Sequence, residues 1–242
     1  MSGRKRFFVD NINYPLTKEV VLDGEEFIHA KTVQRVEVGS EIVLLDGSGK
    51  EYTAVVSKIE KRSLTANVIG EAVSDKEPKT QIYLLCGALK GDKTELVVQK
   101  ACELGAYKIG VFSSEFCSAY MNGNKLERLN KVSREAAKQC LRSCAPEVVY
   151  FDNFTEALSS ASGFENKLFA CEFAQGSETD ISTISGSTAI LIGSEGGFSE
   201  REGEEAKKFG FSQISLGKRI LRAETAAISL TAIVAYALGE LK

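Results

Sequence analysis

Two glycine-bearing turns toward the C-terminal end of the chain hold the side chains best suited to chemistry. The first, "GSEGGFS", ends the apolar run Ala189–Ile192 and sets Gly193, Gly196 and Gly197 around one carboxylate, Glu195. Glycines admit positive φ or a close approach of ligand to backbone. The spacing matches neither G-x-G-x-x-G nor G-x-x-x-x-G-K-[ST], and Glu195 would repel the phosphate that open amides attract. A neutral or cationic ligand suits such a turn better. The second, "SLGKRILRAETA", Ser215 to Ala226, places Gly217, Lys218, Arg219 and Arg222 ahead of Glu224. It lacks the upstream glycine and the Ser/Thr after lysine of a P-loop. Each turn follows a short apolar strand, and two loops ending adjacent strands would close over one ligand at the carboxyl ends, where α/β sheets bind.

The elements that must position these turns alternate from Gln81 onward. "IYLLCGA" reads as a buried strand and "DKTELVVQKACELG" as a helix with an Asp92–Glu95 capping box and Gly105 as its stop. Next come "YKIGVF" as strand, a long helix from about Lys125 to Cys144 closed by Pro146, "EVVYF", a short helix near Thr155–Ala161, "KLFACEF" and "TAILIGS". A helix opened by the Ser199–Glu202 box and closed by Gly210, then "QISLG" and a final helix from Glu224, complete the chain. Strands separated by helices imply an α/β fold with a mostly parallel sheet covered on both faces. The last helix, "ETAAISLTAIVAYALGEL", is apolar nearly all round and must be buried, in the core or against another subunit.

Residues 1–72 differ: "EFIHAKTVQRVEVG", "SEIVLLDGSG" and "KEYTAVVSKIEKRSLTANVIG" are short alternating runs with turn signals at Asp46-Gly47 and Gly49, the pattern of a small β-barrel. Polar, aperiodic residues 73–80, with Pro78, read as a linker, and 81–242 as the α/β domain. At 242 residues and 43% hydrophobic content the chain can bury a full core. The N-terminus has basic residues without the apolar run of a signal peptide, and no segment is apolar enough for a membrane span. Six cysteines without a C-x-x-C pair and a single histidine, His29, leave too few partners for zinc. A reduced, cytoplasmic protein without metal is expected.

A net charge of −3 gives no global signal for nucleic acid, so local clusters carry that question. On a wheel of about 100° per residue, the long helix sets Leu126, Leu129, Val132, Ala136, Cys140 and Cys144 against a basic stripe of Arg128, Lys131, Arg134, Lys138 and Arg142. Like charges at i, i+4 weaken an isolated helix by a few tenths of a kcal/mol per pair, roughly. An anionic partner would account for that arrangement, which leaves two readings of the stripe, a phosphate-tracking surface and an ordinary solvated face. At the N-terminus Arg4, Lys5 and Arg6 precede Phe7 and Phe8, a combination of charge and aromatic surface that suits single-stranded RNA.

At the two turns, "IGSEGGFSEREGEEAKKFGF" and "LGKRILRAETAAISLTAI" closely resemble the signature of the RsmE family, ribosomal RNA methyltransferases of the SPOUT superfamily that act on N3 of a uridine in small-subunit RNA. The likeness extends to "KGDKTELVVQKACELG", "SREAAKQCLRSCAPEV" and, more weakly, "HAKTVQRVEVGSEIVLLDGSGKEY". The resemblance implies a deep trefoil knot in the C-terminal domain, an N-terminal PUA-like RNA-binding barrel, a homodimer through the knot region, and S-adenosylmethionine as cofactor. It places Gly193 and Gly197 in one cofactor loop, Leu216, Gly217, Ile220 and Leu221 in a second, and Cys171 with Glu172 on a third wall. It also implies 16S ribosomal RNA as partner, with Arg35 of "VQR" among the N-terminal contacts. The family commonly has Pro where this chain has Ser194, and "VLR" where it has Val33, Gln34 and Arg35.

Methylating a uracil N3 requires loss of the imide proton. Arg222 stays protonated at any working pH and fits as a clamp on a carbonyl or phosphate oxygen, while Glu195 and Glu224 are the candidate bases, Glu195 alternatively shaping the cofactor loop. One rival is an unknotted Rossmann-type methyltransferase with its cofactor at "LLCGALKG", which lacks the G-x-G spacing. Another is a non-catalytic RNA-binding ribosome-assembly factor.

Overall fold

The computed structural model describes residues 4–171 and 179–241. They divide into two compact units, Met1–Glu77 with Ala137–Ala145, and Pro78–Ala136 with Pro146–Lys242. In the first unit, β1 (Lys5–Phe8), β2 (Glu19–Leu22), β3 (Glu41–Leu45), β4 (Lys50–Ile59) and β5 (Leu64–Val73) form one mixed sheet in the order β1-β3-β4-β5-β2. Only β1 and β3 run parallel. Alternate residues such as Tyr52, Ala54 and Val56 of β4 face a core shared with Phe7, Leu22, Ile42 and Leu44, the period of two that a one-sided sheet requires.

Between β2 and β3 the chain forms α1 (Gly24–Ile28) and a π-helical turn, His29–Val33. The alternating-strand expectation for "EFIHAKTVQRVEVG" is therefore wrong throughout: residues 34–39 are turn and coil, and the next strand begins only at Glu41. Phe27 and Ala30 are buried and three residues apart, one helical face, while Ile28 and Val33 are exposed.

The second unit alternates β6 (Ile82–Gly87), α2 (Lys93–Glu103), β7 (Lys108–Phe112), α3 (Gly123–Gln139), β8 (Glu147–Phe151), α4 (Phe154–Ser160) and β9 (Asn166–Ala170). It continues with β10 (Thr188–Ile192), α5 (Glu200–Lys208), β11 (Ser212–Ile214) and α6 (Ala223–Ala237). All pairs in its six-stranded sheet are parallel, in the order β11-β9-β10-β6-β7-β8. Every residue of β6 and β10 is buried, as both-face coverage requires. One face packs Leu84, Ile190 and Ile192 with Val97 of α2 and Leu230 and Val234 of α6. The other packs Tyr83, Leu85 and Leu191 with Leu158 of α4 and Ala206 of α5.

Three local expectations change. The strands β10 and β11 do not pair, because β9 lies between them. The Asp92–Glu95 box does not form: Asp92 has ψ 3°, outside the extended region from which a cap reaches back, and makes no side-chain cap bond; Glu95 pairs with Arg128 instead. The long helix stops at Gln139, with Leu141 turning the chain at φ 67°, so Cys140 and Cys144 lie outside it. By contrast, both arms of the Ser199–Glu202 capping box are present on α5. Among the described residues no helix is long and apolar enough to cross a membrane.

Candidate functional site

The sheet order sets the carboxyl ends of β9, β10 and β11 side by side, and the turns leaving them wall a cavity of about 450 Å³. The first turn is packed backbone against backbone. A Cβ on Gly87, at the end of β6, would come within 2.5 Å of Ser194 N, and one on Gly193 within 3.0 Å of the Gly197 carbonyl carbon. Ser194 and Gly197 form a bridge, with Gly197 N–H donating to Ser194 O at 3.0 Å. Ser194 is itself buried, its hydroxyl 3.4 Å from that of Ser114. The turn is thus closed through the backbone carbonyl of residue 194, while the serine hydroxyl meets a neighbouring loop.

Glu195 is tied down rather than presented. Its carboxylate accepts from Lys90 N–H at 3.0 Å and from Lys93 Nζ at 3.2 Å. Burial by itself would raise its pKa, but these bonds, its own backbone amide and the Lys93 charge outweigh burial and hold it below the ordinary glutamate value. Lys93 also stands 3.7 Å from Glu224 Oε1 and lines the cavity. One ammonium thus serves two carboxylates. Glu224 Oε2 is buried without a hydrogen-bond partner.

The second turn is looser. Gly217 sits at φ 99° with open space where a Cβ would point, its N–H donating to Ser215 Oγ at 3.3 Å. Ile220 and the Arg222 side chain are each 80% exposed. Leu216, Gly217, Ile220, Leu221 and Arg222 line the cavity, as do Gly193, Glu195 and Gly197 of the first turn and Cys171 at the end of β9. Glu224 is beside this wall, reached through Lys93 and, at 4.0 Å, Arg222. Glu172 lies outside the described residues. Lys93 was not among the expected site residues. Its place in the first turn of α2, after the strand that pairs with β10, is the feature that brings it here.

The basic residues sort by burial. In the first unit Arg4 is exposed and paired with Glu41; Lys5 Nζ donates to the carbonyl of Arg35, itself exposed at φ 49°. Arg6 turns inward: its side chain is 9% exposed in a 2.6 Å pair with Glu51. Phe7 is fully buried, so it offers no stacking face. Lys138 and Arg142 also turn inward, to Glu26 at 3.1 Å and Glu77 at 2.9 Å. Glu77 additionally accepts from the N–H groups of Ser143 and Cys144 at 2.7 and 2.9 Å. The exposed stripe on α3 therefore reduces to Arg128, Lys131 and Arg134.

Residues 75–235 match the family model described as an RNA methyltransferase domain, and residues 22–69 the RNA methyltransferase PUA domain. A ribosomal RNA small subunit methyltransferase E of Mesomycoplasma hyopneumoniae is 36% identical over 72% of this chain and 77% of its own length. The chain belongs to the ribosomal RNA small subunit methyltransferase E family. The family member of Bacillus subtilis is 29% identical over 96% of both chains. The crystal structure of the Neisseria gonorrhoeae enzyme, bound to S-adenosyl methionine, superposes with a TM-score of 0.86 at 29% identity, covering 98% of each chain. The methyltransferase match contains both turns, Gly193–Gly197 and Ser215–Glu224.

Proposed function

We propose that the cavity holds S-adenosylmethionine and that the chain methylates N3 of a uridine in 16S ribosomal RNA. The observation that carries this reading is that the turns leaving β9, β10 and β11 wall one cavity in a member of this family. The residues fit the cofactor. About 450 Å³ falls within the roughly 300–1,000 Å³ of small-molecule sites; Leu216, Ile220 and Leu221 offer apolar surface to an adenine, and two carboxylates sharing Lys93 suit a sulfonium cation. Bound there, S-adenosylmethionine supplies an electrophilic methyl group.

The chain's own residues then position and deprotonate the uracil. Arg222, exposed at the cavity wall, holds a carbonyl oxygen and stabilises the negative charge that develops there as the N3 proton leaves. Glu224 takes that proton on Oε2, the oxygen without a partner, after a side-chain rotation that brings it into the cavity. Glu195, engaged by Lys90 and Lys93 with a lowered pKa, is the poorer base and instead fixes the first turn. The chain around the two turns forms the deep trefoil knot implied by the family resemblance, an exception to unthreaded connections. Residues 1–72 act as a PUA-like barrel that, with exposed Arg4 and Arg35 and half-buried Lys5, contacts RNA, as do Arg128, Lys131 and Arg134 of α3. Two copies pair through α6, whose Ile233 and Tyr236 are exposed, and the enzyme works in the cytoplasm.

The test is methyl transfer from labelled S-adenosylmethionine to small subunits from cells lacking the protein, with the product nucleotide identified by mass spectrometry. The expected product is 3-methyluridine, with kcat falling about 10²- to 10⁴-fold in Glu224→Gln. Absence of cofactor binding at millimolar concentration overturns the reading and favours a non-catalytic assembly factor. Full turnover in Glu224→Gln removes that residue as base.

A further inference from the structure

The loop joining β7 to α3 presents two aromatic rings to solvent, Phe116 at 50% and Tyr120 at 73% exposure. Large exposed apolar groups on a mobile tip need no explanation, but this loop is anchored along its length. Glu115 N–H donates to the buried carboxylate of Glu202 at 2.8 Å. Cys117 Sγ donates to Ala88 O at 3.3 Å. Met121 is buried in the core, and Asn122 caps α3 through a 2.9 Å bond from Lys125 N–H. The rings are thus held out by structure on both sides, and pre-ordered side chains lose little freedom on binding.

Their surroundings define what they fit. Phe116 packs on the outer side of the first turn: a Cβ on Gly196 would lie 2.6 Å from Phe116 Cβ, next to Glu195 and Gly197 of the cavity wall. Lys125 Nζ stands 6.0 Å from the Tyr120 ring centroid, and the exposed Arg128, Lys131 and Arg134 continue along α3 from there. The one acidic side chain beside Phe116 on the loop, Glu115, is paired with Arg201. Aromatic faces backed by cations are the means by which proteins hold unpaired bases and their phosphates.

We propose that Phe116 and Tyr120 form a stacking platform for unpaired bases flanking the target nucleotide of the RNA substrate. The inference rests on the methyltransferase reading and names how that site selects a single-stranded segment. A base taken out of its stack into the cavity leaves its neighbours without a stacking partner, and the platform supplies one at the edge of the first turn.

Phe116→Ala, Tyr120→Ala and the double variant test it, with Phe116→Trp as the conservative control. Two readouts are needed: steady-state methylation of unmodified small subunits, and equilibrium binding of a single-stranded RNA oligonucleotide carrying 2-aminopurine. The double variant is expected to raise KM for subunits and weaken oligonucleotide binding roughly 5- to 100-fold, with kcat at saturation, S-adenosylmethionine affinity and Tm unchanged. Phe116→Trp should restore binding and quench 2-aminopurine. The salt dependence of binding should keep its slope in the aromatic variants and lose part of it in Arg134→Ala. An unchanged KM and unchanged oligonucleotide affinity in the double variant overturn the proposal, as does a change in oligomeric state in place of RNA affinity, which would make the patch a protein contact. A wild-type protein that binds no S-adenosylmethionine sinks the underlying reading instead, while oligonucleotide binding still decides the platform.

Discussion

The two lips of the cavity are built in opposite ways. The first, Gly193–Gly197, is fixed by steric contact and by bonds from three other segments: Gly87 passes beneath Ser194, Lys90 and Lys93 hold Glu195, and Ser114 meets Ser194. The second, Ser215–Arg222, leaves Gly217 with open space around it and Ile220 in solvent. A lip already in place positions a ligand without loss of freedom; a loose one is ordered by whatever fills the cavity or covers it. The comparison predicts that small changes to the first lip disturb the whole unit, and that changes to the second act on binding.

Gly87→Ala should have the largest effect. Its methyl would sit 2.5 Å from the Ser194 backbone nitrogen, so backbone must shift, an overpacking that costs about 1–3 kcal/mol and sometimes more. Urea unfolding should register that loss, and S-adenosylmethionine affinity should fall with it. Gly217→Ala is the matched change in the other lip. Space is available, but φ 99° strains any side chain, by about 1–2 kcal/mol if the turn holds its conformation. Because this turn is free to relax, most of that should appear as weaker cofactor binding and little as lost stability. Equal unfolding losses in the two variants would break the comparison. Lys93→Met should come next: with both carboxylates deprived of their shared cation, calorimetric titration should show cofactor binding altered by up to about tenfold, with only a small loss of stability for such a partly exposed pair.

What the sequence disclosed follows the range of the interactions. The α5 capping box lies within four consecutive residues, and its Ser199–Glu202 spacing is readable by eye. The turns themselves were legible because glycine and carboxylate stand together in the chain. The inward turn of Lys138 and Arg142 was not, since their partners Glu26 and Glu77 are far away in sequence; a helical wheel displays a stripe without saying which part of it meets a carboxylate. Lys93 was missed for the same reason, being a helix residue until β6 pairs with β10. The separation of β10 from β11 by β9 is likewise a long-range fact. It brought Cys171 into the cavity wall beside the two turns.

The smallest effect separates the lips by pH. Glu195 has its folded-state pKa lowered, burial opposing and the bonds from Lys90, its own amide and Lys93 prevailing. A depressed carboxylate contributes stability that is present above its unfolded pKa, about 4.3, and is lost as pH falls through the folded value. The stability difference between wild type and Glu195→Gln should therefore favour wild type at pH 6, and shrink as pH is lowered from about 4.3 through the folded pKa. In a Lys93→Met background the same difference should be smaller at every pH, because the charge and one hydrogen bond that depress the pKa are gone. The Gly217→Ala difference, which changes no ionisable group, should stay flat across that range. A Glu195→Gln difference equally flat would mean that steric closure, through Gly87, Ser194 and Gly197, holds the first lip without its carboxylate.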